Sequence, residues 1–181
     1  NTVILTATDQ TGNSRTCSAT VTVVDSTAPT AVCQDLTVYL DGAGNASITA
    51  ADVDNGSTDN CTVATLSLDQ TSFTCADEGA NTVTLTVTDQ AGNTNSSTAT
   101  VTVIDSTAPT AVCQNLTIYL DGSGNASITA ADVDNGSSDN CSVANIDVDK
   151  ASFTCADEGA NTVTLTVTDQ AANQSTCTAT V

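Results

Sequence analysis

Histidine, methionine and tryptophan are absent from this chain, and Arg15 and Lys150 are its only basic side chains. The missing histidine removes the commonest general base and a usual zinc ligand. Against two bases stand 21 Asp and Glu, for a formal charge of −19. So acidic a chain repels phosphate backbones and anionic lipid, which excludes nucleic acid as a partner. No run approaches the roughly 18 apolar residues of a membrane-spanning helix, so membrane insertion is not expected. Aromatic residues are scarce: Tyr39, Phe73, Tyr119 and Phe153 are all there are. Carboxylate pairs can drive glycoside chemistry, but that requires a cleft able to stack sugars. Serines abound without a base beside them, and an enzyme is not expected.

What is present is repetition. Ser26–Val101 and Ser106–Val181 align without a gap at an offset of 80 residues, and about 60 of 76 positions are identical. A partial third copy fills the N-terminus, where Asn1-Thr2-Val3 and Thr8-Asp9-Gln10 repeat at Asn81-Thr82-Val83 and Thr88-Asp89-Gln90. The expected domains are 1–25 (the C-terminal part of a first repeat), 26–105 (a second) and 106–181 (a third, its last strand truncated). Beginning and ending partway through a copy, the chain reads as a window on a longer tandem array. Arrays multiply a surface or a length, whereas an enzyme needs one site.

The repeat is patterned for strands. In Thr82–Thr88, Val83, Leu85 and Val87 share one face and four threonines the other. Leu36, Val38 and Leu40 alternate likewise, as do Ala46, Ile48 and Ala50, and Ala99, Val101 and Val103. A period of two with β-branched residues predicts half-buried antiparallel strands. Asp41-Gly42-Ala43-Gly44-Asn45, Asp54-Asn55-Gly56 and Asp89-Gln90-Ala91-Gly92-Asn93 supply the turns. No helical period is visible. Six or so short strands in 80 residues predict an all-β fold of tandem immunoglobulin-like sandwiches, arranged end to end as a rod. With two aromatics per copy the core is thin, and domains this small often need staples.

Three segments together resemble the hyalin repeat family of immunoglobulin-like extracellular modules. They are Ala28-Pro29-Thr30-Ala31-Val32-Cys33, Thr58-Asp59-Asn60, and Thr82 through Asn93. The likeness covers the whole repeat, although Cys33-Gln34 and Cys113-Gln114 replace the usual Cys-Pro. The resemblance implies adhesion or structure, as in large secreted surface adhesins and filament proteins of Bacteroidetes-type bacteria.

The third repeat holds Cys113, Cys141, Cys155 and Cys177, for which sequence alone allows three pairings. An immunoglobulin-like topology implies that the first strand runs parallel to the last, bringing Cys113 to Cys177. That leaves Cys141 for Cys155 and, by equivalence, Cys61 for Cys75. Ser97 replaces the last cysteine of the second repeat, so Cys33 is expected unpaired and Cys17 without a partner in the sequence. No Cys-x-x-Cys pair or histidine exists for zinc. Disulfides imply a secreted, extracellular or cell-surface location.

The same topology sorts the acids. Asp52, Asp54, Asp59 and Asp89 are expected at the upstream end of the second repeat, beside linker residue Asp25. Asp132, Asp134, Asp139 and Asp169 form the equivalent set beside Asp105. Asp41, Asp77 and Glu78 are expected at the downstream end, facing the next linker. Converging carboxylates suit calcium, which takes six to eight oxygen ligands in flexible geometry. Asp52-x-Asp54-Asn55-Gly56 is not an EF-hand loop, since the glycine phase differs and no twelfth-position Glu follows. The linker Ile104–Thr110 is short, holds one proline and allows little bending. Ser26 and Ser106, in Asp-Ser-Thr segments resembling a Bacteroidetes O-glycosylation signal, are candidate sugar acceptors.

The expected function is structural: a calcium-stiffened, disulfide-stapled stalk or filament of an adhesin or extracellular fibre. The alternative is an adhesive module whose repeats contact carbohydrate or neighbouring proteins. Expected partners are other copies of the repeat, along the array and laterally. Variation between copies concentrates in Thr65–Thr71 against Asn145–Ala151, and in Gly92–Ser97 against Ala172–Cys177.

Overall fold

The computed structural model describes all residues, Asn1–Val181. Its first two strands, β1 (Thr2–Thr8) and β2 (Ser14–Thr20), form an antiparallel hairpin that is exposed along its whole length.

The second repeat contains β3 (Leu36–Tyr39), β4 (Asn45–Ser47), α1 (Ala50–Val53), β5 (Val63–Leu68), β6 (Ser72–Thr74), β7 (Gly79–Asp89) and β8 (Thr94–Ile104). One sheet runs β3-β8-β7-β5; β4 and β6 make a second, two-stranded sheet. Between them pack Leu40, Ile48, Val53, Phe73, Val83, Ala99, Val101 and Val103. Each large side chain so buried stabilises the fold by roughly 1.5–3 kcal/mol. The inward set follows the alternation of β7 and β8, since i, i+2 and i+4 face the same way. One pair departs from the antiparallel pattern: β3 lies parallel to β8, Leu36 opposite Val101.

The third repeat follows the same plan with β9 (Asn125–Ser127), α2 (Ala130–Val133), β10 (Val143–Val148), β11 (Ser152–Thr154), β12 (Thr162–Asp169) and β13 (Gln174–Thr180). Its core is Ile128, Val133, Phe153, Val163, Leu165, Val167 and Ala179. The stretch equivalent to β3 forms no strand, although Leu116 N–H donates to the Thr180 carbonyl at 3.1 Å.

Two details differ from the sequence pattern. The predicted alternation through Ala50 stops at Ser47, and a single helical turn follows in each copy. Asp52 starts that turn: its Oδ2 accepts from the Thr49 N–H and hydroxyl, both at 2.7 Å. Such a capping box satisfies N–H groups that a first turn leaves unpaired. Four residues are too few for a helical period to show.

The cysteine pairing also differs. Cys113 bonds Cys177 within the third repeat, as expected, but Cys75 bonds Cys141 of the next repeat, with Cα atoms 5.5 Å apart. The expected Cys61–Cys75 and Cys141–Cys155 bonds do not form; Cys61, Cys155, Cys17 and Cys33 are free. Cys61 precedes β5 at the upstream end, while Cys75 opens a 3-10 turn (Cys75–Asp77) leading into β7 at the downstream end. The six-residue strand β5 rises roughly 20 Å. A disulfide needs Cα atoms within about 7 Å.

Candidate metal site at the junction between repeats

The inward stripe of β7 does not stop at hydrophobic residues. Val83, Leu85 and Val87 are followed on the same face by Asp89, and Val163, Leu165 and Val167 by Asp169. On β8, Val101 and Val103 lead to Asp105 just beyond the strand. Strand periodicity therefore buries these acids, which are 3 %, 2 % and 4 % exposed. They are the only buried charged groups in the chain.

At the junction between the second and third repeats, one ligand atom from each of Asp105, Asp139 and Asp169 lies within 4.8 Å of the other two. Glu78, Asp105 and Cys141 form an overlapping group on the same measure. The acids come from the downstream end of one repeat (Glu78), the linker (Asp105), and a loop and the last residue of β12 in the next (Asp139, Asp169). Hydrogen bonds fix the linker: Asn173 Nδ2 donates to Asp169 Oδ2 at 2.8 Å and to the Asp105 and Thr107 carbonyls at 3.3 and 3.4 Å. Asn140 Nδ2 donates to Asp105 Oδ1 at 3.2 Å and to the Asp41 carbonyl at 3.2 Å. Neither asparagine was singled out in the sequence, although each sits beside or four residues after an Asp that was.

Several oxygens here have no hydrogen-bond partner: Glu78 Oε1, Asp105 Oδ2, Asp139 Oδ1 and Asn140 Oδ1 are all buried and unsatisfied. Buried polar atoms ordinarily find partners. No cation in the chain answers these carboxylates, since Lys150 pairs with Asp157 and Arg15 lies in the N-terminal hairpin. Two like charges about 4 Å apart repel by roughly 4 kcal/mol at an effective dielectric of about 20. Burial first, then the Asp105, Asp169 and Asp139 charges, push the Glu78 carboxyl above its ordinary range. Hard anionic oxygens in this number suit a calcium ion.

The other candidate acids have local duties. Asp52 and Asp132 cap α1 and α2, and hydrogen bonds from Thr49 and Thr129 hold both below the usual carboxylate range. Asp54 and Asp134 accept from Ser57 and Ser137, with the same effect. Asp41 closes the Asp41–Asn45 turn by accepting from the Ala43 and Asn45 N–H groups. Asp77 caps the 3-10 turn through Thr74. None of these six belongs to the groups whose ligand atoms converge.

At the first linker, Asp25, Asp59 and Cys61 converge instead. Asp89 accepts from the Asn93 N–H and Nδ2, and Asn93 Nδ2 reaches the Asp25 and Thr27 carbonyls. A hydrogen bond to Asp25, with the charges of Asp25, Asp59 and Asp89, pushes the Cys61 thiol up. Ser26 and Ser106 are exposed beside the two linkers.

No family model and no curated protein sequence matches the chain. Among solved structures it is similar to cadherin extracellular domains. A protocadherin gammaB7 EC3-6 cis-dimer matches at 16% identity and a TM-score of 0.43, over 99% of this chain and 59% of that one. Protocadherin gamma C5 EC1-3 matches at 12% identity and 0.42, over 99% and 76%. The human desmocollin-1 ectodomain matches at 13% identity and 0.28, over 99% and 43%. The chain thus spans about three fifths of the first of these. No helix is long and apolar enough to cross a membrane.

Proposed function

We propose that this chain is part of an extracellular stalk or filament, a rod of sandwiches stapled by disulfides and stiffened by calcium at the junctions. The observation that supports it is the buried Asp105, gathered with Asp139, Asp169 and Glu78 and left with an unpartnered oxygen. Those four residues would hold the ion, and its charge would cancel a repulsion that otherwise pushes the repeats apart. Because the ligands come from one repeat, the linker and the next, a bound ion resists bending between repeats. The short linker and the Cys75–Cys141 bond act in the same direction. Disulfides fit an oxidising, extracellular compartment. The sequence motifs resembling hyalin repeats support an adhesive or structural setting. Exposed Ser26 and Ser106 would be open to O-linked sugar.

Calorimetric titration of calcium into the EDTA-stripped chain, with thermal melts and small-angle scattering in parallel, tests the proposal. Saturable binding, a higher Tm and a narrower spread of lengths are expected. A Tm and length indifferent to EDTA would sink the calcium reading and leave the stapled stalk.

A further inference from the structure

The Cys75–Cys141 bond is the only covalent tie between the second and third repeats apart from the linker. Each of its sulfurs belongs to a segment that carries a carboxylate of the junction. Glu78 follows the 3-10 turn that Cys75 opens. Asp139 stands just before Asn140 and Cys141, and the Cys141 N–H donates to Asp139 Oδ2 at 2.9 Å. Between them Asn140 Nδ2 holds Asp105 Oδ1. The Cys141 sulfur itself lies within 4.8 Å of carboxylate oxygens of Glu78 and Asp105. The bridge thus forms part of the wall of the candidate calcium site.

Little else joins Glu78 to the other three acids. Outside the linker, the polar contacts between the two repeats are Asn140 Nδ2 on the Asp41 carbonyl at 3.2 Å and Cys75 Sγ against the Asn140 carbonyl at 3.7 Å. Gly44 leaves room for the second of these. A Cβ there would sit 2.6 Å from Cys75 Sγ and 2.9 Å from the Asn140 carbonyl. Repulsion among the four carboxylates works against these contacts. Asp105 is 4% exposed and its Oδ2 has no partner, nor have Glu78 Oε1 and Asp139 Oδ1. Cutting the bridge frees the downstream end of the second repeat to move away under that repulsion, and Glu78 goes with it. A site so loosened offers fewer oxygens to an ion that takes six to eight.

We propose that the Cys75–Cys141 bridge is a redox control on the calcium site: the oxidised junction holds the ion, the reduced one releases it, and a bound ion protects the bridge from reduction. This rests on the calcium reading above and adds to it. Coupling between two equilibria is reciprocal. Whatever factor the bridge adds to calcium affinity, saturating calcium adds to the stability of the bridge. The reductant is a small thiol such as glutathione. Its thiolate attacks one sulfur of the bridge, forming a mixed disulfide and expelling the other sulfur as a thiolate. A second glutathione thiolate attacks the glutathione sulfur and expels the remaining cysteine. The protein disulfide is reduced to two thiols, which take up the two protons the glutathiones gave up, and two glutathiones are oxidised to one glutathione disulfide. Such a junction is stiff where the surroundings are oxidising and rich in calcium, and slackens when either is withdrawn.

The test uses the full chain with Cys17→Ser, Cys33→Ser, Cys61→Ser and Cys155→Ser, the four cysteines unbonded in the structure. It is equilibrated in a series of glutathione redox buffers, with saturating calcium and with EDTA, then alkylated and peptide-mapped. Calcium should lower the midpoint potential of Cys75–Cys141 by about 30 mV or more, which is a tenfold change in equilibrium constant for two electrons. The Cys113–Cys177 midpoint should not move, since neither sulfur belongs to the groups of converging ligands. Asp139→Asn should shrink the shift at Cys75–Cys141. Calorimetric titration should show calcium bound at least tenfold more weakly when Cys75→Ser and Cys141→Ser are added. The midpoints need no change at the bridge, so they decide the matter if that double variant fails to fold. No saturable binding to the oxidised chain sinks the calcium reading and the coupling together. Saturable binding with a Cys75–Cys141 midpoint indifferent to calcium, a shift shared equally by Cys113–Cys177, or a shift left whole by Asp139→Asn overturns the coupling alone.

Discussion

Asp25 and Asp105 occupy equivalent positions 80 residues apart, yet the structure treats them differently. Asp105 is buried among Glu78, Asp139 and Asp169, and the neighbouring Cys141 is bonded across the junction. Asp25 is only half-buried and groups with Asp59 and an exposed, free Cys61. The following repeat supplies the same loops in both cases. What differs is the preceding repeat, whose downstream end contributes Glu78, Cys75 and the Asp41 carbonyl at the Asp105 junction. The site thus belongs to a pair of repeats and not to either one.

That comparison can be broken most sharply at sulfur. Cys141→Ser should remove roughly 4 kcal/mol, the loop-closure estimate for a bridge spanning 66 residues. Cys61→Ser, which removes no bond in the monomer, should leave the melting curve unchanged. Calorimetry on the two variants decides it; equal losses would contradict the observed pairing.

The next effect lies at glycine. Gly44 and Gly124 both sit at positive φ (+74 and +77), where a Cβ costs roughly 1–2 kcal/mol. A Cβ on Gly44 would also lie 2.9 Å from the Asn140 carbonyl, beside a sulfur held in a disulfide. At Gly124 it would meet only the free Cys155 thiol, which can move. Gly44→Ala should therefore cost about 1–3 kcal/mol more than Gly124→Ala in denaturant melts.

Charge gives a smaller but more diagnostic difference. Asp105→Asn should weaken calcium binding about tenfold or more, or roughly 1.4 kcal/mol. In EDTA the same change should raise Tm, because it removes an unanswered buried charge. Asp25→Asn should do neither. Calorimetric titration and paired melts would expose a wrong assignment through a missing reversal of sign.

The weakest effect is in pH. Glu78 has its folded-state value raised, so in EDTA the folded state holds the extra proton in the window above the unfolded value of about 4.5. Stability associated with this proton is fully present below that value and lost as pH rises through the raised one. Glu78→Gln should flatten that limb of the stability curve. Asp157, held at about 2 by Lys150, works the opposite way. Its contribution is present above the ordinary carboxylate range and lost as pH falls through about 2; Lys150→Gln should reduce it, leaving the part held by the Thr154 N–H and hydroxyl.

Much of this arrangement was legible along the chain. The alternation of Val83, Leu85 and Val87 names the buried face, and continuing it by one step names Asp89 as buried. The same step takes Val163, Leu165 and Val167 to Asp169, and Val101 and Val103 to Asp105. The capping roles of Asp52 and Asp132 could be read from Thr-x-x-Asp spacing, yet in an acidic chain those residues look like any other ligand. The cysteines were the harder case. Placing Asp59 upstream and Asp77 downstream already separates Cys61 from Cys75, so the pairing within a repeat conflicts with the strand directions. Four cysteines in one copy permit closed pairs by count alone, and only the strand directions rule out Cys141 with Cys155.

The sequence by itself determined the period, the strand alternation, the inward-facing acids and the excess of negative charge, because each is a property of neighbours along the chain. Which carboxylates meet, and which sulfur reaches which, was decided only by tertiary structure. Glu78, Asp105 and Asp139 are far apart in sequence and become neighbours when the end of one sandwich rests on the start of the next. A periodic sequence offers equivalent partners in every copy, and only the distance between chain ends in space selects among them.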